Sequence, residues 1–122
     1  MKKIVSSTIL ASFALALVAP SSAEKKLSSG LEDLFPGPLL DSKGTEVSKD
    51  TLAGKTIGIY FSASWCPPCR TFTPKLVKFR DDNKKDFEVV FVSSDRSPKD
   101  QMGYMKKASM KWYTLPHRSG PA

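Results

Sequence analysis

Apolar and polar positions are patterned most sharply at Thr56-Ile57-Gly58-Ile59-Tyr60-Phe61-Ser62, an apolar run of strand length without period-two alternation. That is the pattern of a strand covered on both faces. Phe87-Glu88-Val89-Val90-Phe91-Val92-Ser93 repeats it. Between the two runs, Cys69, Phe72, Leu76 and Phe79 recur at spacings of three and four, while Lys75, Lys78 and Arg80 fall off the stripe. The spacing predicts an amphipathic helix with the stripe facing inward. Strand, helix and strand in that order make a right-handed βαβ unit. Pro74 lies inside the predicted helix, where its missing donor should bend the axis.

On either side of this unit the signals are shorter. Ser97 and Pro98 suit an N-cap and first turn, and Asp100 suits the positive end of the dipole, so a second helix is expected from Pro98 to about Ser109. Met102, Met105 and Ala108 form its inner face. Lys111-Trp112-Tyr113-Thr114-Leu115 reads as a short strand ended by Pro116, and the one histidine, His117, as a surface residue near a frayed end. Towards the N-terminus, Ser29-Gly30 can cap a helical turn over Leu31 to Phe35, which Pro36-Gly37-Pro38 stops. Leu39-Leu40 and Thr45-Glu46-Val47 then flank Asp41-Ser42-Lys43-Gly44 as a small hairpin.

The first 23 residues follow a different logic. Lys2 and Lys3 precede an uncharged, mostly apolar stretch from Ile4 to Val18, and Ser21-Ser22-Ala23 supplies small residues for cleavage. This order is that of a secretory signal peptide. The stretch is diluted by Ser6, Ser7, Thr8 and Ser12 and is shorter than the about 20 apolar residues of a span. The expected mature chain begins at Glu24 and is exported, periplasmic or secreted, with no membrane association after cleavage. Residues 24–55 read as an N-terminal extension with the hairpin, and 56–122 as the principal domain.

Composition narrows the function. With 40% hydrophobic and 25% charged residues among 122, the chain has the make-up of one small globular domain rather than of a disordered or polytopic membrane protein. Losing Lys2 and Lys3 would lower the net charge from +7 to +5. The remaining basic residues are interspersed with acidic ones, as in Arg80-Asp81-Asp82-Asn83-Lys84-Lys85-Asp86, without the aromatic-interleaved basic stripe of a nucleic-acid face. No nucleic-acid partner is expected.

The chemistry lies in Trp65-Cys66-Pro67-Pro68-Cys69-Arg70, a C-x-x-C where the first buried strand passes into the helix. At a helix N-terminus, free N–H groups and the dipole stabilise a thiolate, which makes Cys66 the candidate nucleophile. Cys69, one turn on and on the apolar stripe, is the candidate resolving thiol and the more buried of the pair. Pro67 and Pro68 preset helical φ and stiffen the loop. Trp65 either shields the nucleophile and offers an apolar docking surface or is an ordinary core aromatic. Three other readings of the cysteines compete. A structural staple closing so short a loop would contribute only about 2 kcal/mol. A zinc site lacks ligands, since there are two cysteines and one histidine. A c-type haem attachment needs histidine after the second cysteine, where Arg70 stands. No metal or other cofactor is expected.

The segment Tyr60 to Leu76, followed by Glu88-Val89-Val90-Phe91-Val92-Ser93-Ser94-Asp95-Arg96, resembles the thioredoxin-like superfamily in its nucleoredoxin and tryparedoxin branch. The resemblance covers roughly Leu52 to Pro116. It implies an α/β thioredoxin-like fold, a βαβ core with an N-terminal hairpin, and thiol–disulfide oxidoreductase activity on client proteins with thiols or disulfides. A further, unidentified redox partner is implied. Pro74 matches the family's helix kink. Where thioredoxins proper carry a buried acid, six positions before the first cysteine, this chain has Tyr60, so proton transfer would use water or another group. The family also closes with a ββα unit containing a cis-proline that faces the disulfide. That unit is expected to be missing here, leaving the sheet edge and one face of the helix without partners. The rival reading is a noncatalytic, truncated module whose cysteine pair is structural or whose sheet edge binds a partner.

Overall fold

The computed structural model describes residues 26–122; the expected signal sequence, residues 1–23, and the expected mature terminus at Glu24 lie outside them. The strands are β1 (Leu39–Leu40), β2 (Glu46–Val47), β3 (Thr56–Ser62), β4 (Phe87–Ser93) and β5 (Tyr113–Thr114), and the helices are α1 (Ser29–Leu34), α2 (Pro67–Asn83) and α3 (Pro98–Lys107). They form one sheet in the order β2-β1-β5-β4-β3. β3 and β4 run parallel with Thr56 opposite Phe87 and Ser62 opposite Ser93, and β5 runs parallel to β4 with Val90 opposite Tyr113. β1 returns antiparallel against β5 and pairs β2 in the hairpin. Among the described residues no helix is long and apolar enough to cross a membrane.

β4 is the strand covered on both faces, and its side chains alternate between two cores. Val90 and Val92 join Leu27, Phe35, Leu39, Leu52 and Leu115 on one face. Val89 and Phe91 join Tyr104, Met105, Met110 and Trp112 on the other. The apolar run of β3 predicts the same burial, but β3 is an edge strand. Among the described residues it pairs only with β4, and Phe61 is 61% exposed. Periodicity records an apolar strand; it does not record whether a neighbour covers it.

α2 also departs from expectation. It runs unbroken through Pro74, but the stripe assigned to its inner face is largely outside: Phe72 is 50% and Phe79 53% exposed. The face that meets the sheet is rotated to Thr73, which is buried, with Leu76, Val77 and Arg80 half-buried. Arg80 reaches the buried Glu88 of β4 with two hydrogen bonds, Nε to Oε1 at 2.8 Å and Nη2 to Oε2 at 2.9 Å.

Local boundaries shift for identifiable reasons. α1 begins at Ser29 because the carbonyl of Ser28 accepts the N–H groups of Leu31 and Glu32, and Ser28 stands at the N-cap. Asp41 holds the hairpin turn by accepting from the N–H groups of Lys43 and Thr45, and these bonds keep its carboxyl below the ordinary range. Gly44 completes that turn at φ 84°, in the left-handed region glycine enters freely. A 3-10 turn at Lys49–Leu52, which the sequence pattern does not predict, places Leu52 in the first core. α3 starts where expected, with Ser97 Oγ accepting from the Asp100 N–H at 3.1 Å. It ends at Lys107, before Ser109 at φ 57°, and its buried residues are Gln101, Tyr104 and Met105, with Met102 and Ala108 only half-buried.

Candidate active site

The carboxyl ends of the three parallel strands converge on one end of the sheet, the place where open α/β sheets commonly bind ligands. β3 leads through Ala63-Ser64-Trp65 into α2, and Cys66 takes the N-cap position with extended backbone at φ −91° and ψ 106°. No side chain caps this terminus, and Pro67 and Pro68 occupy its first turn without needing partners for N–H groups they lack. Cys66 and Cys69 face one another with Cα atoms 5.3 Å apart and their sulfurs at disulfide distance. Both residues are half-buried; the expected difference in burial is not seen, because Phe72, which follows Cys69 on the stripe, faces outward.

Trp65 is 58% exposed, so it is not a core aromatic; Trp112, fully buried, has that place. The Trp65 indole Nε1 donates to the Ser94 carbonyl at 3.0 Å, which fixes the ring beside Cys66. The loop leading from β3 to Cys66 is held by Asp95. This buried carboxylate accepts from Ser64 N–H at 2.8 Å, Ser64 Oγ at 2.6 Å and Ser93 Oγ at 2.7 Å. His117, expected as a surface residue, is half-buried and its Nε2 lies 2.7 Å from the Asp95 carbonyl. Packing between the two loops, invisible in the sequence, draws it in.

Behind Cys69 lies a chain of hydroxyls. Thr73 Oγ1 donates to the Cys69 carbonyl at 2.7 Å and lies 2.7 Å from Tyr60 OH and 2.8 Å from Tyr104 OH, while Tyr104 OH lies 3.1 Å from Ser62 Oγ. One assignment satisfies all four groups: both phenols donate to Thr73, and Ser62 donates to Tyr104. Burial raises the Tyr104 phenol above its ordinary value, so it stays protonated and able to donate. Tyr60 therefore stands behind Cys69, joined to its carbonyl through the Thr73 hydroxyl. Among the described residues, no group of three or more His, Cys, Asp or Glu is placed to hold a metal ion.

The family profile described as Thioredoxin-like matches residues 54–122, more than half of the chain. The chain belongs to the thioredoxin-like family. Tryparedoxin of Trypanosoma brucei brucei is 50% identical over 91 residues, covering 72% of this chain and 62% of the relative. Nucleoredoxin of Bos taurus is 40% identical over 89 residues, 70% of this chain and 20% of the relative. Among solved structures, a thioredoxin from Wuchereria bancrofti superposes with a TM-score of 0.64 at 44% identity, over 70% of this chain and 62% of the other. Tryparedoxin II complexed with glutathionylspermidine gives 0.63 at 44% identity, over 72% and 62%. These confirm the thioredoxin-like fold and the nucleoredoxin and tryparedoxin branch. The chain spans about 62% of the length of the tryparedoxin it matches.

Of the residues singled out in the sequence, Trp65, Cys66, Pro67, Pro68 and Cys69 come together at one helix terminus. Asp95, Thr73 and Tyr104 support them without any sequence expectation pointing there, and His117, expected at the surface, joins them. The available signal was position: Asp95 lies just past the carboxyl end of β4, next to the site.

Proposed function

We propose that the chain is an exported thiol–disulfide oxidoreductase that exchanges disulfides with client proteins through Cys66 and Cys69. The observation that carries this reading is the cysteine pair at the start of a long helix, half-buried rather than enclosed and flanked by an exposed tryptophan. Membership of a family that includes tryparedoxins and nucleoredoxins supports it. A complex of tryparedoxin II with glutathionylspermidine supports thiol and disulfide compounds as the substrate class.

In the reducing direction, the Cys66 thiolate, stabilised by the helix terminus, attacks one sulfur of the client disulfide. The Cys66–client bond forms as the client S–S bond breaks, and the departing client thiolate takes a proton from water. Cys69 then loses its proton to water and attacks the Cys66 sulfur, forming Cys66–Cys69 and releasing the second client thiolate. Two electrons pass to the client, and a second dithiol partner returns them by the reverse sequence. Trp65 shields one side, and the two prolines hold the loop.

The test is trapping. Cys69→Ser should accumulate mixed disulfides on Cys66, seen by mass spectrometry, while Cys66→Ser should lose turnover and trap little. Equal trapping would overturn the roles. A reduction potential below about −300 mV would instead mark a structural disulfide in a noncatalytic module. Export rests on residues 1–23, and the intact mass of exported protein should correspond to a chain beginning at Glu24; retention of Met1 to Ala23 would overturn it.

A further inference from the structure

We propose that a cavity beside the cysteine pair binds the carboxylate end of a small anionic thiol or disulfide, such as a peptide-like thiol bearing free carboxylates. This rests on the reading of Cys66 and Cys69 as an exchange pair and names the substrate class they serve. The cavity is about 510 Å³, a volume typical of small-molecule sites, and is lined by Trp65, Ser93, Ser94, Asp95, Arg96 and Arg118. Its walls come from the segments after β3, β4 and β5, at the carboxyl ends of the parallel strands.

Two arginines reach this cavity from segments 22 residues apart in sequence, and a hydrogen bond explains why: His117 Nε2 on the Asp95 carbonyl ties the turn bearing Arg118 to the turn bearing Arg96. The Ser119 N–H to the Pro116 carbonyl, at 2.9 Å, closes that turn, with Arg118 held at φ 62° in the left-handed region. Among the described residues neither guanidinium has an acidic partner within salt-bridge distance. The one carboxylate in the lining, Asp95, is buried and already accepts from Ser64 and Ser93. The cavity thus offers two unpaired forks, each matched to a carboxylate, and an indole wall one residue from Cys66. A cationic disulfide would meet like charge at the same wall.

The experiment uses the full chain and two readouts. The first is binding of S-methylglutathione, an unreactive anionic probe, and of its diethyl ester, followed by tryptophan fluorescence. The acid should bind about tenfold more tightly than the ester, the preference should shrink with salt, and Arg96→Glu and Arg118→Glu should each abolish it. Lys84→Glu, the same charge change at the far end of α2, should leave it intact. The second is turnover of glutathione disulfide, neutral hydroxyethyl disulfide and cationic cystamine, expected in that order of kcat/KM. Equal binding of acid and ester, or a preference unmoved by Arg96→Glu, would overturn the proposal while leaving disulfide exchange standing. Selective binding of the acid without turnover of any disulfide would uphold the site and overturn the exchange reading.

Discussion

Individual residues differ in how much of their role the sequence carries. Cys66 and Cys69 are legible because chemistry and spacing coincide: two thiols one helical turn apart, at a strand-to-helix junction, can do little else with equal economy. Tyr104 is not legible, because its part depends on meeting Ser62 of β3 and Thr73 of α2, 42 and 31 residues away in sequence. Its phenol carries a pH dependence. Burial raises its pKa above the ordinary value of about 10, so the folded state holds the proton more tightly than the unfolded chain. The stabilisation is complete below about pH 10 and is lost as pH climbs through the folded pKa. Tyr104→Phe should lower stability at neutral pH by roughly 1 to 2 kcal/mol, the worth of two hydrogen bonds, and flatten the decline above about pH 10. Urea midpoints of both proteins from neutral to alkaline pH would show it; parallel curves would dismiss the phenol as the source.

At the scale of elements, every expected strand and helix is present, a 3-10 turn at Lys49–Leu52 is added, and the larger departures concern which side faces what. β4 is buried as its apolar run implies, but β3 carries the same pattern at an edge. On α2 the aromatic stripe suggests an inner face, yet Thr73 and Arg80 take it, since Glu88 on β4 requires a cation there. A buried acid inside an apolar strand was the clue. The Glu88 side chain is 2% exposed and that of Arg80 12%, with Lys55 Nζ 4.0 Å away. Removing Arg80 strips both of its hydrogen bonds from a buried carboxylate and leaves only Lys55, at 4.0 Å, opposite its charge. Arg80→Ala should therefore cost roughly 3 to 5 kcal/mol, whereas Arg80→Met combined with Glu88→Leu should recover most of that loss, because neither desolvated charge remains. Thermal or urea unfolding of the two variants beside the parent chain decides it. A double variant as unstable as Arg80→Ala would show that the pair's worth lies in packing, not in charge.

For the whole molecule two tendencies oppose one another. The net charge of +7 repels copies of the chain, while among the described residues β3 presents an unpaired edge with Phe61, Phe72 and Phe79 at least half exposed around it. The resemblance to a larger fold made this uncovered edge foreseeable; hydrophobic periodicity alone pointed the other way, because it cannot distinguish a covered strand from an uncovered one. Long apolar edges template association, and charge is the usual counterweight. Which wins depends on screening. At about 0.01 M salt the Debye length of about 30 Å spans a molecule of this size, and repulsion should keep the chain dispersed; at about 1 M it falls to about 3 Å, leaving the apolar edge unopposed. Light scattering of the 122-residue chain should therefore rise with salt and with concentration. Phe61→Lys, which sets a charge on the edge itself, should suppress that rise without lowering the unfolding midpoint, because the 61% exposed ring contributes little to either core. Scattering that falls with salt would mean that attraction between opposite charges, rather than the apolar edge, governs association, and that Phe61 is incidental to it.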